Sequence, residues 1–162
     1  MVAFNKNDSL NKWGEFVMYL EEFVVGAEFS TGLRQIIEND VKAFLDLSLL
    51  KNPIFLDDKS AQQMGHPKRI LPAPLLISVA MGLCQQSGLF DHMVAVLEFE
   101  YVRFQKTSYL GDAVQVKSKV TFTRKTRDPK RGLVKLSFEL HNQRQESVLE
   151  MAAVYLMLSR AS

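Results

Sequence analysis

Apolar residues crowd together just before the middle of the chain. Leu75, Leu76, Ile77, Val79, Ala80, Met81, Leu83 and Cys84 leave almost no polar face between Pro74 and Gln85. A helix that is apolar all round is wrapped by protein or lipid, and this run is too short to cross a bilayer. It is expected as a buried core helix. Pro74 suits its beginning, where the first N–H groups have no intrahelical partner. Gln85, Gln86, Ser87 and Gly88 end it. From Met93 to Arg160 the period shortens to two, the signature of successive strands. Val114, Val116, Val120 and Phe122 alternate with Gln115, Lys117, Lys119 and Thr121, which predicts one buried and one wet face. Val134, Leu136, Phe138 and Leu140 predict another strand, turned at Asn142-Gln143-Arg144-Gln145. Two segments are apolar on both faces. In the first, Val96, Val102 and Phe104 share one face while Leu97, Phe99 and Tyr101 share the other, which predicts a central strand covered twice. In the last, Val148, Ala152, Val154, Leu156 and Leu158 oppose Leu149, Met151, Tyr155 and Met157, and a second subunit is expected to add cover.

Upstream the pattern is weaker. Residues 1–15 are polar and read as a flexible arm, with a turn of helix near Trp13, and 16–162 as one domain. Phe16 to Phe29 suits an extended segment turning at Gly26, and Leu33, Ile36 and Ile37 a short first strand. Asn39 to Ser48 reads as a helix that Asn39 or Asp40 can cap, with Val41, Phe44, Leu45 and Ser48 on one side. Asn52-Pro53 breaks it, because a residue before proline avoids the α region. Lys59 to Met64 suits a short helix ended by Gly65. One helix cradled by a curled antiparallel sheet makes the fold class α+β.

Composition narrows the function. The chain has 162 residues, is 47% hydrophobic and carries a net charge of +2, so one domain with a real core fits and charge gives no nucleic-acid signal. Cys84 is the single cysteine. It excludes an intrachain disulfide and suits a reducing, cytoplasmic setting. No apolar leader or membrane span is read, and no histidine–carboxylate spacing suggests a metal. His92 and His141 are expected to face solvent, and Asp57 and Asp58 to cap the short helix. Glu98 and Glu100 suit an edge or a subunit contact with Arg103 or Lys106, or, if buried, a base. The basic loop Arg124, Lys125, Arg127, Lys130, Arg131 is either a solvated hairpin or a grip for phosphates.

Several stretches together resemble the MaoC-like dehydratases, hot-dog proteins related to (R)-specific enoyl-CoA hydratases. They are Tyr19 to Phe29, Leu47-Ser48 with Asn52-Pro53-Ile54, Leu75 to Ser78, Arg103 to Lys106 with Tyr109 and Gly111-Asp112, and Arg127 to Gly132. The resemblance implies a single hot-dog domain that forms a homodimer, or a heterodimer with an active paralogue, with the acyl site at the subunit boundary. It also implies a loop reading Asp, any residue, Asn, Pro, any residue, His, whose aspartate and histidine move the protons of hydration.

Here Asn52 and Pro53 are present, but Leu50 stands at the aspartate position and Phe55 at the histidine position. Leu49 replaces a glycine, and Leu71-Pro72-Ala73-Pro74 stands where the family has Ala-His-Gly-Met. Neither Leu nor Phe transfers protons, and one positioned acid–base group supplies roughly 10²–10⁴ in rate. A free N–H at the helix start, on Ala73, still suits a thioester carbonyl, and the resemblance places Ser78 beside the acyl chain. The expected function is therefore binding of acyl-CoA or an acyl-carrier-protein thioester, without a cofactor and without hydratase activity. The alternative is a hydratase, dehydratase or thioesterase working through another residue, of which His66 is the candidate: related dehydratases use a histidine just before this helix.

Overall fold

The computed structural model describes residues 18–160; the expected N-terminal arm lies outside the described residues. The order of elements is β1 (Glu28–Ser30), β2 (Arg34–Gln35), α1 (Glu38–Ser48), α2 (Asp58–Gln63), α3 (Ala73–Gln86), β3 (Met93–Phe104), β4 (Ala113–Lys125), β5 (Arg131–Asn142) and β6 (Ser147–Leu158). One antiparallel sheet runs β1-β4-β5-β6-β3, with β2 also paired to β4. α3 lies in the concave face, so the expected α+β arrangement is present.

α3 buries Leu75, Leu76, Val79, Ala80, Leu83 and Cys84 in one core with Val114, Val116, Val120, Val134, Leu136, Phe138, Leu140, Met151 and Tyr155. Each fully buried leucine contributes roughly 1.5–3 kcal/mol through the area it removes from water. The helix is not covered all round, however. Pro74, Ser78, Gly82, Gln85 and Gln86 form an exposed stripe, because a small or polar residue returns about every fourth position. Pro72 is the residue that enters the helix, and Pro74 sits in its first turn.

The strand pattern departs from expectation at β-bulges, where two residues oppose one and the following side chains change face. β3 has three register shifts, and its partners on β6 put Met93, Val96, Phe99, Val102 and Phe104 on the concave side, with Ala95, Glu98, Tyr101 and Arg103 on the convex side. Strict alternation separates Val96 from Phe99; the bulges unite them. β3 is also not a central strand. It is an edge, and Val94, Val96, Leu97, Phe99, Tyr101 and Phe104 are all exposed. The strand buried between neighbours is β6. On β4 a shift after Val120 turns Phe122 to the convex side opposite Lys135, where it is 44% exposed.

α1 begins at Glu38 with Ile37 at its cap, so neither Asn39 nor Asp40 occupies that position. Asp40 lies one turn in and reaches back, accepting the Ile37 N–H at 3.0 Å while pairing with Arg34 at 2.7 Å. The first strand is shorter than the apolar residues suggest: only Arg34 and Gln35 pair, Ile36 is buried, and Leu33 and Ile37 are exposed.

Candidate functional site

The loop between α1 and α2 carries the two positions where an acid–base pair was sought. α1 ends on Leu49 in the left-handed conformation, φ 58° and ψ 22°, a backbone shape that costs a side chain roughly 1–2 kcal/mol and favours glycine. Asn52 then caps a 3₁₀ turn, Pro53–Phe55, accepting the Ile54 N–H at 3.2 Å, with Pro53 at its first position. Asp57 caps α2, accepting the Ser60 N–H at 2.7 Å. Arg69 ties the loop down. Its guanidinium donates to Glu38 at 2.5 and 2.9 Å and to the Leu56 carbonyl at 3.2 Å, while Asp58 accepts the Arg69 N–H at 2.9 Å. The Arg69 hydrogen bond holds the Glu38 carboxyl below its usual range. Within this braced frame Leu50 and Phe55 are half-buried and packed against the core. The loop has an ordered backbone and hydrocarbon at both sought positions.

The start of α3 is different. Leu71 is buried and donates its N–H to the Ser108 carbonyl at 2.8 Å, and Ile70 bridges to Tyr109. These ties fix where the helix begins. A depression of about 240 Å³ opens there, lined by Ile70, Leu71, Ala73, Leu76 and the segment Phe104 to Ser108. Ala73 N–H, at the first helical position, has no hydrogen bond among the described residues. Ser108 lines the same depression, is 2% exposed, and its hydroxyl has no partner among the described residues. A reading of hydrophobic periodicity gives no weight to this serine, which stands between two other hydroxyl residues, Thr107 and Tyr109.

Ser78 lies one turn further along. Its hydroxyl donates to the Pro74 carbonyl at 3.1 Å, so it is engaged rather than poised as a nucleophile. It lines a groove of about 340 Å³ between α1 and α3 with Phe44, Leu47, Leu75, Val79 and Leu83, closed at one side by the Arg34–Asp40 pair. A broader depression of about 580 Å³ lies away from both, over β1, β4 and β5 beside the Lys119–Glu28 pair.

Other candidates fall elsewhere. The His66 ring meets Tyr109 edge-on, 6.4 Å between centroids, in the approach to α3. His92 does not simply face solvent: it stacks on Tyr19 at 3.7 Å. His141 is buried, because the sheet closes over it, and Glu139 meets its Nε2 at 2.9 Å. Burial, with the Lys117 charge, lowers its pKa despite Glu139. Glu98 and Glu100 are exposed rather than buried; Glu100 pairs with Lys135 at 2.5 Å, and Lys106 pairs with Glu146 at 2.7 Å. Arg124, Arg127, Lys130 and Arg131 occupy the β4–β5 hairpin, exposed, at the end of the sheet opposite the start of α3. β4 has 13 residues, so at ~3.3 Å each the two ends stand roughly 40 Å apart. One subunit does not bring them together.

The MaoC-like domain family matches residues 22–140. The chain belongs to this family. A monoamine oxidase regulatory protein from Archaeoglobus fulgidus is similar over 90% of this chain and 97% of its own, at 25% identity and a TM-score of 0.81. An (R)-hydratase from A. caviae, involved in PHA biosynthesis, is similar over 82% of this chain and 95% of its own, at 25% identity and a TM-score of 0.68. A double hot-dog protein from Mycobacterium tuberculosis shares the fold at 18% identity and a TM-score of 0.81, over 90% of this chain and 46% of its own. The hot-dog fold expected from the sequence is thus the fold observed. No curated protein matches the chain. Among the described residues no helix is long and apolar enough to cross a membrane.

Proposed function

We propose that this MaoC-like chain binds an acyl thioester, carried by coenzyme A or an acyl-carrier arm, and does not hydrate it. The observation that carries the reading is the contrast at the site: an unpaired N–H on Ala73 at the start of α3, and hydrocarbon at Leu50 and Phe55 in a braced loop. A helix start stabilises a carbonyl oxygen through its free N–H groups and dipole. The groove beside Ser78 is apolar along Phe44, Leu47, Leu75, Val79 and Leu83 and suits an acyl tail. Adding water to an enoyl double bond also requires a base for the water and a proton for the α-carbon. Leu50 and Phe55 supply neither. The protein works in the cytoplasm as the non-catalytic half of a pair of hot-dog units.

The test of binding is a melting curve with butyryl-CoA. A ligand at 100 times its Kd raises stability by about 2.7 kcal/mol. A clear rise in Tm is expected with the thioester and a smaller one with free coenzyme A. No rise with any acyl thioester refutes the reading.

A further inference from the structure

Buried hydroxyl groups in folded proteins nearly all have a hydrogen-bond partner. Among the described residues three buried side-chain polar atoms have none: His141 Nδ1, Ser147 Oγ and Ser108 Oγ. The first two belong to residues that oppose each other across β5 and β6. Ser108 stands alone, in the segment that fixes where α3 begins. We propose that the Ser108 hydroxyl is a second donor beside the Ala73 N–H, and that the two together meet the carbonyl oxygen of the acyl group, so that the site selects ligands with a carbonyl next to the sulfur. The inference rests on the acyl-binding part of the proposed function and names the group within the ligand that is recognised.

The backbone sets the direction of the hydroxyl. Ile70 and Tyr109 form an antiparallel bridge, which places Ser108 opposite Leu71. Residues opposed across an antiparallel pair share a face. Ser108 therefore turns to the side of Leu71, and both line the depression at the start of α3 together with Ala73 and Leu76. The segment is held from several sides. The Ser108 carbonyl accepts the Leu71 N–H at 2.8 Å, Asp112 accepts the Tyr109 N–H at 2.8 Å, and Lys68 donates to the Leu110 carbonyl at 2.8 Å. A donor fixed before the ligand arrives loses little freedom on binding it. Of the lining side chains, Ile70, Leu71, Leu76 and Phe104 are hydrocarbon, and the Lys106 amine is turned to Glu146 at 2.7 Å. A carbonyl oxygen has two lone pairs and takes two donors. Ala73 supplies one from the backbone and Ser108 the other from a side chain. A hydroxyl kept dry and unpaired costs the free protein stability, and a ligand oxygen recovers that loss.

The test is calorimetric titration of the full chain with butyryl-CoA and with S-butyl-coenzyme A, the thioether that lacks the carbonyl. Wild type is expected to bind the thioester more tightly than the thioether. Ser108→Ala is expected to bind butyryl-CoA roughly 2–13-fold more weakly, the worth of one hydrogen bond, with its affinity for the thioether unchanged. The Tm of the free variant is expected to match or exceed that of wild type, since a buried unpaired hydroxyl is gone. Equal affinity of wild type for the two ligands overturns the inference. So does a Ser108→Ala variant that binds both as wild type does, or one that loses both alike, because the side chain then only shapes the depression. A marked fall in Tm, or loss of the fold, assigns the hydroxyl to the structure and overturns it too. Wild type that binds neither ligand refutes the acyl-binding reading itself, so the two failures are told apart.

Discussion

Arg69 ties the loop from Leu49 to Leu56 to the segment that leads into α3, and the loop and the first turn of α3 hold different things. The loop has an ordered frame, with a capped 3₁₀ turn and an Arg69 clamp, around two hydrocarbon side chains. The helix start has an unpaired backbone donor beside a buried, unpartnered hydroxyl. Binding a carbonyl needs only a fixed donor, whereas moving protons needs ionisable groups with suitable pKa values. Backbone features survive side-chain change; acid–base features do not. Under the proposed function, this contrast is what would let a hot-dog unit hold a thioester and leave it unreacted.

The largest effect is expected from restoring what the loop lacks. The double variant Leu50→Asp with Phe55→His is expected to hydrate crotonyl-CoA at least ~10²-fold faster than wild type, since each such group is worth roughly 10²–10⁴. Loss of the enoyl absorbance measures it. A correctly folded, ligand-binding double variant with no gain means that the loop frame does not face the thioester.

Ala73→Pro probes the other half. Pro72 is extended, φ −59° and ψ 130°, so a proline at the next position is sterically allowed and removes only the N–H. Losing one hydrogen bond of about 0.5–1.5 kcal/mol is expected to weaken butyryl-CoA binding roughly 2–13-fold with Tm of the free protein little changed. Unchanged affinity removes Ala73 from the site.

Leu49→Gly is expected to stabilise the fold by about 1 kcal/mol, because it relieves a left-handed leucine that is 73% exposed and little packed. For a chain of this size that is a rise of roughly 2–4 °C in Tm. A fall in Tm means that the exposed leucine makes a contact the free subunit does not contain.

The smallest effect concerns His141. Its folded pKa lies below the ordinary 6.5, chiefly through burial and then through Lys117. As pH falls, the unfolded chain takes up the proton first. The stability that a neutral His141 contributes is therefore intact above about pH 6.5 and is lost as pH falls through the lower folded value. Denaturant titrations at pH 7.5, 6.5 and 5.5 are expected to show a shallower decline for His141→Gln than for wild type. Parallel declines would remove this histidine as a source of the pH dependence.

How much of this was legible in the sequence depended on whether a feature obeys a period. β4 and β5 announce themselves because their buried residues recur at every second position, and α3 and β6 because their apolar runs are nearly unbroken. β3 misled because its three bulges regroup Val96 with Phe99, and because an exposed apolar edge reads the same as a strand buried twice. The exposed stripe on α3 was hidden by small residues, Ser78 and Gly82, that do not look polar in a run of leucines. Leu50, Phe55 and Ala73 were singled out through motif spacing; the structure puts the first two around a capped 3₁₀ turn and the third at the first position of α3. The separation of the basic hairpin from α3 was not legible, since strand length alone does not say which end of a sheet faces a helix. Ser108 escaped because an unpartnered hydroxyl is a property of its surroundings, not of its neighbours in sequence.

The most direct test of the account is the fate of crotonyl-CoA mixed with the wild-type protein at a concentration that saturates the melting shift. The account predicts a shifted Tm with the enoyl absorbance falling no faster than in buffer. Turnover at an enzyme-like rate, on the order of 1–10³ s⁻¹, would contradict it.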